Sequence, residues 1–462
     1  MTTPRPIDPD RVSRTALLAV FNNSAVSVEA ALDMQARTGV VICADVQVCS
    51  DYSGQAALLT AVRTAARAFG IVWVVLPDCD PAVLGGPHRG EPLRNVLFRE
   101  GVRLHEDSET IQLVDPRPVI LIGSDVPSPD VSPPTKVQLR VTWSEWTAVV
   151  TPTSRGAEPC DRDCVLAAIA AGALAVNEAF GAVEARPGSD RGHRIVHLDL
   201  YAPLAEGGRP PAITWAPNAW WLVGLGHLGQ AFSWAISWLP YLTPSEVEVA
   251  LQDTQTTTES NHSTGILTVK GSDGEHKTRM VAAKLEGAGL STRLHERRLG
   301  KDLRREPTES HVALLGIDNL AARRLISDVG WKLALDVGLG RGPDGYASMH
   351  LVRFPGGRTS DQIPAWQDGA DPAVPDAALL NSPALRALHE RDACGAVTLA
   401  GTAAGASFVG VVAGCLAVAE ACRELNGGAP SEVIDLDLRC HFLRGGLATV
   451  GPLPAHAELR VG

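Results

Sequence analysis

The chain has no cysteine pair at metal-binding spacing, no excess of positive charge and no long uninterrupted apolar run. Each absence closes off a class of protein. Its nine cysteines, at 43, 49, 79, 160, 164, 394, 415, 422 and 440, include no Cys-x-x-Cys, and Cys160-x3-Cys164 alone does not make a zinc site. An odd number at low density also argues against a disulfide framework. A formal charge of −11 removes the electrostatic basis for nucleic-acid binding. An acidic surface of this kind serves solubility and implies no basic partner. The opening residues, MTTPRPIDPDRVSR, lack the basic-then-apolar order of a signal peptide. The most apolar stretches, near 165–182 and 408–422, are rich in Ala, Gly and Val and fall short of a membrane span. A cytoplasmic chain with no membrane or nucleic-acid partner is expected.

What is present is a globular composition, 45% apolar and 20% charged over 462 residues, enough for two or three domains. A faded repeat runs through it. AGALAVNEA (171–179) matches AGCLAVAEA (413–421), IVHLDL (195–200) matches VIDLDL (433–438), and VILIGSD (119–125) matches ALLGID (313–318). The matches keep their order, which indicates a duplicated α/β unit. The Pro- and Gly-rich stretch near 203–218 marks the boundary. The expected domains are therefore 1–205 and 206–462, built as tandem Rossmann-like α/β units with mainly parallel sheets.

The second unit holds the strongest signal. WLVGLGHLG (221–229) is a buried strand ending in Gly-x-Gly-x-x-Gly. Gly224, Gly226 and Gly229 would allow a tight turn, close approach to phosphate and packing of helix on strand. The first unit offers only GIVWVVLPDCDP (70–81) and similar runs at the corresponding place, so it reads as degenerate. Asp253 follows Gly229 by 24 residues, where a carboxylate can accept hydrogen bonds from ribose hydroxyls. NAD enzymes place an acid there too, so this pair does not choose a nucleotide.

The stretch LQDTQTTTESNHSTGILT resembles the Asp-x-Asp, Ser-Asn, Leu-x-Arg-Gln segment of the E1-like (ThiF/MoeB-type) ubiquitin-activating superfamily. Asn261 stands eight residues after Asp253 and Lys277 sixteen after Asn261, both family intervals. The strand followed by Asp-Asn in GIDNLAARRLIS supplies Asp318 and Asn319. The resemblance is strong over 221–330, continues to about 440 and is weak over the first 200 residues. It implies ThiF-type domains with an inactive first copy, and ATP bound by Gly224, Gly226, Gly229, Asp253, Ser260, Asn261, Lys277 and Asn319. Lys277 would serve phosphate oxygens as a point charge, and Asp318 would hold Mg²⁺. A dehydrogenase needs neither. Two positions depart from the pattern: Gln255 replaces the second Asp, and Thr264 replaces an arginine that helps hold the phosphates. Arg279, Arg11 or Arg14 could supply the missing charge.

The resemblance also singles out Cys394, at the end of a long Gly-, Pro- and Asp-rich crossover (341–393). A loop feeding a helix N-terminus can expose a thiol and lower its pKa. Cys415 and Cys422 follow an apolar helix pattern and read as core; Cys440 reads as structural within a strand. His227, His262 and His276 flank the proposed site without an assigned role. The implied activity is adenylation of the C-terminal glycine of a ubiquitin-like protein, then a thioester on Cys394 for transfer to an E2-like partner. This most resembles E1-like proteins of bacterial ubiquitin-like conjugation operons, including those linked to phage defence. A sulfur-carrier adenylyltransferase, an NAD-dependent dehydrogenase, a non-catalytic scaffold and a homodimeric assembly stay open.

Overall fold

The apolar runs GVVICA, IVWVVL and VILI show no polar alternation, the pattern of strands covered on both faces. The computed structural model describes residues 8–106, 110–156, 164–204, 210–367, 382–447 and the backbone of 458–460. The first sheet contains β1 (Gly39–Ala44), β2 (Ile71–Leu76), β3 (Arg103–Glu106), β4 (Val119–Ile122), β5 (Gln138–Ser144), β6 (Thr147–Pro152) and β7 (Val196–Asp199). Their order is β3-β2-β1-β4-β5-β6-β7, parallel as far as β5 and antiparallel beyond.

The second sheet contains β8 (Ala219–Val223), β9 (Glu248–Gln252), β10 (Ser291–His295), β11 (Val312–Leu315), β12 (Leu333–Leu339), β13 (Ser348–Phe354), β14 (Ser431–Asp437) and β15 (Phe442–Leu447). Its order, β10-β9-β8-β11-β12-β13-β14-β15, repeats that of the first sheet with one strand added. The switch from parallel to antiparallel comes after the fifth strand in both. The protein is thus an α/β fold with two mainly parallel sheets.

The principal helices are α1 (Tyr52–Ala68), α2 (Val165–Glu184), α3 (His227–Ser237), α4 (Lys277–Gly287), α5 (Ala393–Ala400) and α6 (Ser407–Leu425). The sequence repeat has a packing cause. Gly172 of α2 meets the backbone of Ala57 on α1, where a Cβ would lie 2.5 Å from the carbonyl oxygen. Gly414 of α6, its counterpart, meets Ala231 of α3 in the same way, at 2.9 Å. The buried acids Glu178 and Glu420 also occupy matching places. Glu178 pairs with Arg194 at 2.7 Å, and Glu420 pairs with Arg423 while accepting from Ser431 N–H. α2 and α6 then face each other across the halves, with the Phe180 and Phe408 rings 5.5 Å apart. α2 is long and apolar enough to cross a membrane, yet 94% of its apolar window is buried inside the fold.

Three sequence expectations need correction. The counterpart of the glycine loop follows β1, not the 70–81 run, which is β2 and its exit. After β1 the chain enters Asp45, whose carboxylate caps a short helix through Val48 N–H (2.8 Å). Only a 10 Å³ hollow remains there. The stretch 341–393 is not one crossover, because 348–354 is β13, paired antiparallel between β12 and β14. Its Gly- and Pro-rich flanks concealed a short strand. Cys440 lies beyond the end of β14 and is exposed rather than in a strand.

The halves are joined by a buried ionic cluster. Arg67 of α1 donates to the carbonyls of Gly265 (3.0 Å), Ile266 (3.0 Å) and Thr268 (2.9 Å) in the second half. Glu100 balances both Arg67 and Arg63, at 3.0 Å each. Removing Arg67 would leave Glu100 buried with less compensation and three carbonyls unpaired. Arg67→Met should therefore cost about 3–5 kcal/mol in chemical denaturation; a loss below about 1 kcal/mol would show the cluster to be dispensable.

The same region titrates. Burial, reinforced by nearby cations, holds His88 and His262 down to about 4, while Arg63 and Arg67 overcome burial to hold Glu100 near 2. The unfolded chain therefore binds more protons in acid. The histidine contribution is complete above an unfolded pKa of about 6.5 and declines as pH falls toward 4. The Glu100 contribution declines from about 4.5 downward. Thermal melts should show stability falling steadily below pH about 6.5, and the double variant His88→Gln/His262→Gln should flatten the upper part of that profile.

Candidate functional site

β8 delivers the chain into the glycine loop. Gly224 sits at φ +82°, a region costly for other residues, and an added Cβ would press on Gly316 O at 2.7 Å. Gly229 packs α3 against the loop and leaves no room for a side chain: a Cβ there would lie 2.0 Å from Gly224 O. Gly226 faces open space at the start of α3. Asp253, at the exit of β9, braces this loop: its Oδ2 accepts from Leu225 N–H (2.7 Å) and its Oδ1 from Gln255 N–H (2.8 Å). Each carboxylate oxygen retains a further lone pair for a ligand hydroxyl.

These residues open onto a cleft of about 1320 Å³ across the ends of β8, β9, β11 and β12. Gly224, Gly226, Asp253, Asn261, Lys277, Asp318 and Asn319 all line it. Gly229 and Ser260 stand behind the lining and support it. Lys277, first residue of α4, is buried and donates from Nζ to Gln255 Oε1 at 2.7 Å. Burial lowers its pKa, while Asp253, Asp318 and Asp10 act in the opposite sense. Asp318 is exposed at the exit of β11. Asn261 Oδ1 accepts from Thr258 N–H (3.0 Å), and Asn319 Oδ1 caps a short helix through Ala322 N–H (3.0 Å). Both asparagines are therefore oriented by backbone, with their amide Nδ2 groups left as donors.

Among the arginines weighed for the charge absent at Thr264, the structure distinguishes clearly. Arg279 is exposed and bound to Glu296 at 3.0 Å. Arg11 is also exposed, near Asp8 and Glu259. Arg14 lines the cleft, donates from Nη2 to Ser260 Oγ (3.3 Å), and keeps a buried Nη1 with no partner. It comes from the N-terminal segment, which belongs to the first half.

Sequence reasoning missed further cations on the cleft: Arg297, Arg298, Lys301, Arg323 and Arg341. The run RRLGKDLRR was a visible signal, a basic cluster within an acidic chain. Arg297 is paired with Asp302 (2.6 Å), and Arg323 with the buried Asp336 (3.3 Å). His227, in the glycine loop, is enclosed by α6; burial pushes it down to about 4, so it is neutral at pH 7.

Cys394 lies in the first turn of α5, and its side chain is outside the described residues. The helix N-terminus expected to lower its pKa already has an anion. Asp392 caps α5, accepting from Gly395 N–H at 2.9 Å. Downstream of α5, Thr402 to Gly405 line the cleft. Among the described residues no group of His, Cys, Asp and Glu is arranged to hold a metal unaided.

Comparison with known proteins gives the class first. The chain is 33% identical over 440 residues to the bacterial E1-like protein BilD of Collimonas sp. (strain OK412), covering 93% of this chain and 91% of that protein. Residues 39–200 match the model of the BilD N-terminal domain, and 216–428 that of the BilD C-terminal domain. The chain belongs to the BilD family of bacterial E1-like proteins. Solved structures of E. coli MccB are distantly similar. The complex with ATP shows 10% identity and a TM-score of 0.32, over 51% of this chain and 65% of that one. The complex with AMPCPP and MccA shows 12% identity and a TM-score of 0.33, over 51% and 66%. The chain spans less than two thirds of MccB, and a likeness this remote carries no residue roles.

If Arg14 serves phosphate, its removal should weaken nucleotide binding selectively. Arg14→Ala should raise the dissociation constant for ATP with Mg²⁺ by about 10–100-fold in a thermal-shift titration. Arg279→Ala should stay within about 2-fold; equal effects would remove the distinction.

Proposed function

We propose that this chain uses ATP to adenylate the C-terminal glycine of a ubiquitin-like protein and then carries it as a thioester on Cys394. The observation that supports this best is the convergence of Gly224, Gly226, Asp253, Asn261, Lys277 and Asp318 on one cleft. They are distant in sequence, and each offers what a nucleoside triphosphate needs. The loop offers backbone approach to phosphate. Asp253 offers an acceptor for ribose, and Lys277 and Arg14 offer positive charge with unspent donors. Asp318 offers an exposed carboxylate for Mg²⁺, which binds through few protein ligands and several phosphate oxygens and would supply charge neutralisation there.

In the proposed reaction the glycine carboxylate attacks the α-phosphorus, the α–β bridging bond breaks, and pyrophosphate leaves. Lys277 and Arg14 stabilise the charge that builds on the phosphate oxygens. The thiolate of Cys394 then attacks the acyl carbonyl, AMP leaves, and a thioester remains. An E2-like partner would accept the acyl group on its own cysteine. The facing helices α2 and α6 pair an inactive half with an active one inside a single chain, so the adenylation site needs no second copy.

Pyrophosphate exchange into ATP, measured with the full chain and its small Gly-ending partner, tests the first step. Lys277→Ala and Asp318→Ala should each lower exchange by about 10²–10³-fold. Cys394→Ala should leave exchange within about 2-fold while abolishing a thiol-sensitive conjugate on gels. Exchange without a conjugate in the wild type would leave adenylation standing and remove the thioester. Absence of exchange, or preference for NAD, would overturn the reading.

A further inference from the structure

Gly405 lies where three separate parts of the site meet. The first is the N-terminal segment: Gly405 N–H donates to Arg14 O (3.2 Å), and Thr15 Oγ1 donates to Gly405 O (3.0 Å). The second is the glycine loop: a Cβ on Gly405 would lie 3.7 Å from the His227 ring. The third is the segment bearing Asn261: the same Cβ would lie 3.4 Å from Thr264 Cγ2. On its upstream side, Gly405 is joined by four residues to α5, the helix that contains Cys394. On its downstream side begins α6, a core helix of the second half.

The N-terminal segment is itself fastened to the nucleotide side of the cleft. Ser260 N–H donates to Asp10 O (2.6 Å), and Arg14 N–H donates to Ser263 Oγ (2.9 Å). Its turn Pro9–Arg11 also packs against α5. One strand of chain, Asp10 to Thr15, therefore touches the nucleotide-binding segment, the cleft interior through Arg14, and both backbone groups of Gly405.

We propose that Asp10–Thr15 is a strap that couples nucleotide occupancy to the position of α5, with Thr15 as the positioning residue and Gly405 as the joint. The proposal rests on the adenylation reading and assigns its regulation. Arg14 meets the nucleotide, and the adjacent residue, Thr15, holds the joint. A shift that draws the Arg14 backbone toward phosphate moves the Arg14 carbonyl and the Thr15 hydroxyl, and with them Gly405. Thr264 has a place in the same device. Its small side chain leaves room for Gly405 against the Asn261 segment, where an arginine would push the joint away. The strap thus accounts for the position of Arg14 and for the missing arginine together.

Hydrogen exchange on the full chain tests this, with and without a non-hydrolysable ATP analogue and Mg²⁺. The wild type should show exchange in the 382–406 peptides changed at least about 2-fold by the analogue. Thr15→Val, which loses only the hydroxyl donor, should still bind the analogue in a thermal-shift assay but lose that change. Thr15→Ser should behave as wild type. Ser263→Ala loosens the strap at its other end and should blunt the change without touching Gly405, which keeps the test available if Thr15→Val folds poorly. An unchanged response in Thr15→Val and Ser263→Ala, or none in a wild type that binds the analogue, would overturn the strap and leave adenylation intact. Failure of the wild type to bind the analogue would instead overturn the reading of the cleft.

Discussion

Arg67 makes the half that carries the glycine loop depend on the half that lacks it. A loop between two sheets can be buried only if its carbonyls and N–H groups find partners. The loop at 265–268 finds them on two sides. Arg67, from the first half, takes the carbonyls of Gly265, Ile266 and Thr268. Gln230 of α3, in the second half, accepts from Leu267 and Thr268 N–H at 2.9 Å each. Just upstream on the same loop are Ser260, Asn261 and Thr264. The segment that carries Asn261 is therefore clamped between a helix of each half. A half that has no glycine loop and only a 10 Å³ hollow in its place can still be indispensable, as a wall for its neighbour.

Electrostatics within the cleft follow a different logic from the surface. The chain is acidic overall, at −11, yet the cleft brings together Arg14, Lys277, Arg298 and Lys301 with Asp253 and Asp318. Burying Lys277 is tolerable because three carboxylates, Asp253, Asp318 and Asp10, act on it and Gln255 Oε1 accepts its hydrogen bond at 2.7 Å. The two departures from the superfamily pattern both fall at charged positions. Gln255 stands where the superfamily pattern has an acid, and Thr264 where it has an arginine. Arg14 then adds a cation from another part of the chain.

Legibility in the sequence tracked how local each constraint was. The glycine spacing, Asp253, Asn261, Lys277 and Asp318 are short-range signals, because each sits at the end of a strand or the start of a helix that its neighbours specify. The repeat was legible through Gly172 and Gly414, since close helix packing demands the same small residue at the same place. Arg14 could be suspected but not selected from Arg11 and Arg279; only the path of the N-terminal segment across the halves separates them. Strand β13 was hidden because its seven residues lie between Gly- and Pro-rich flanks. The counterpart of the glycine loop was misplaced because β2 is a fully apolar run like its neighbours β1 and β4, and apolarity reports burial without reporting strand order.

Cys394 lies between two anchors of different kind. Upstream, Arg391 meets Glu29 of the first half at 2.5 Å, with both side chains exposed, and such a pair contributes about 0–1 kcal/mol. Behind it, the helix Pro383–His389 buries Ala384, Leu385 and Leu388, and α5 itself buries Ala396, Leu399 and Ala400. Downstream, Gly405 is held through both backbone groups, and α6 is buried almost along its whole length. From Cys394 to Thr402, at the cleft wall, a helical path spans about 12 Å. The thioester step proposed above would therefore require α5 to give up apolar packing, not merely a surface ion pair, and the strap proposed at Gly405 would be the place where an event at Arg14 enters that packing.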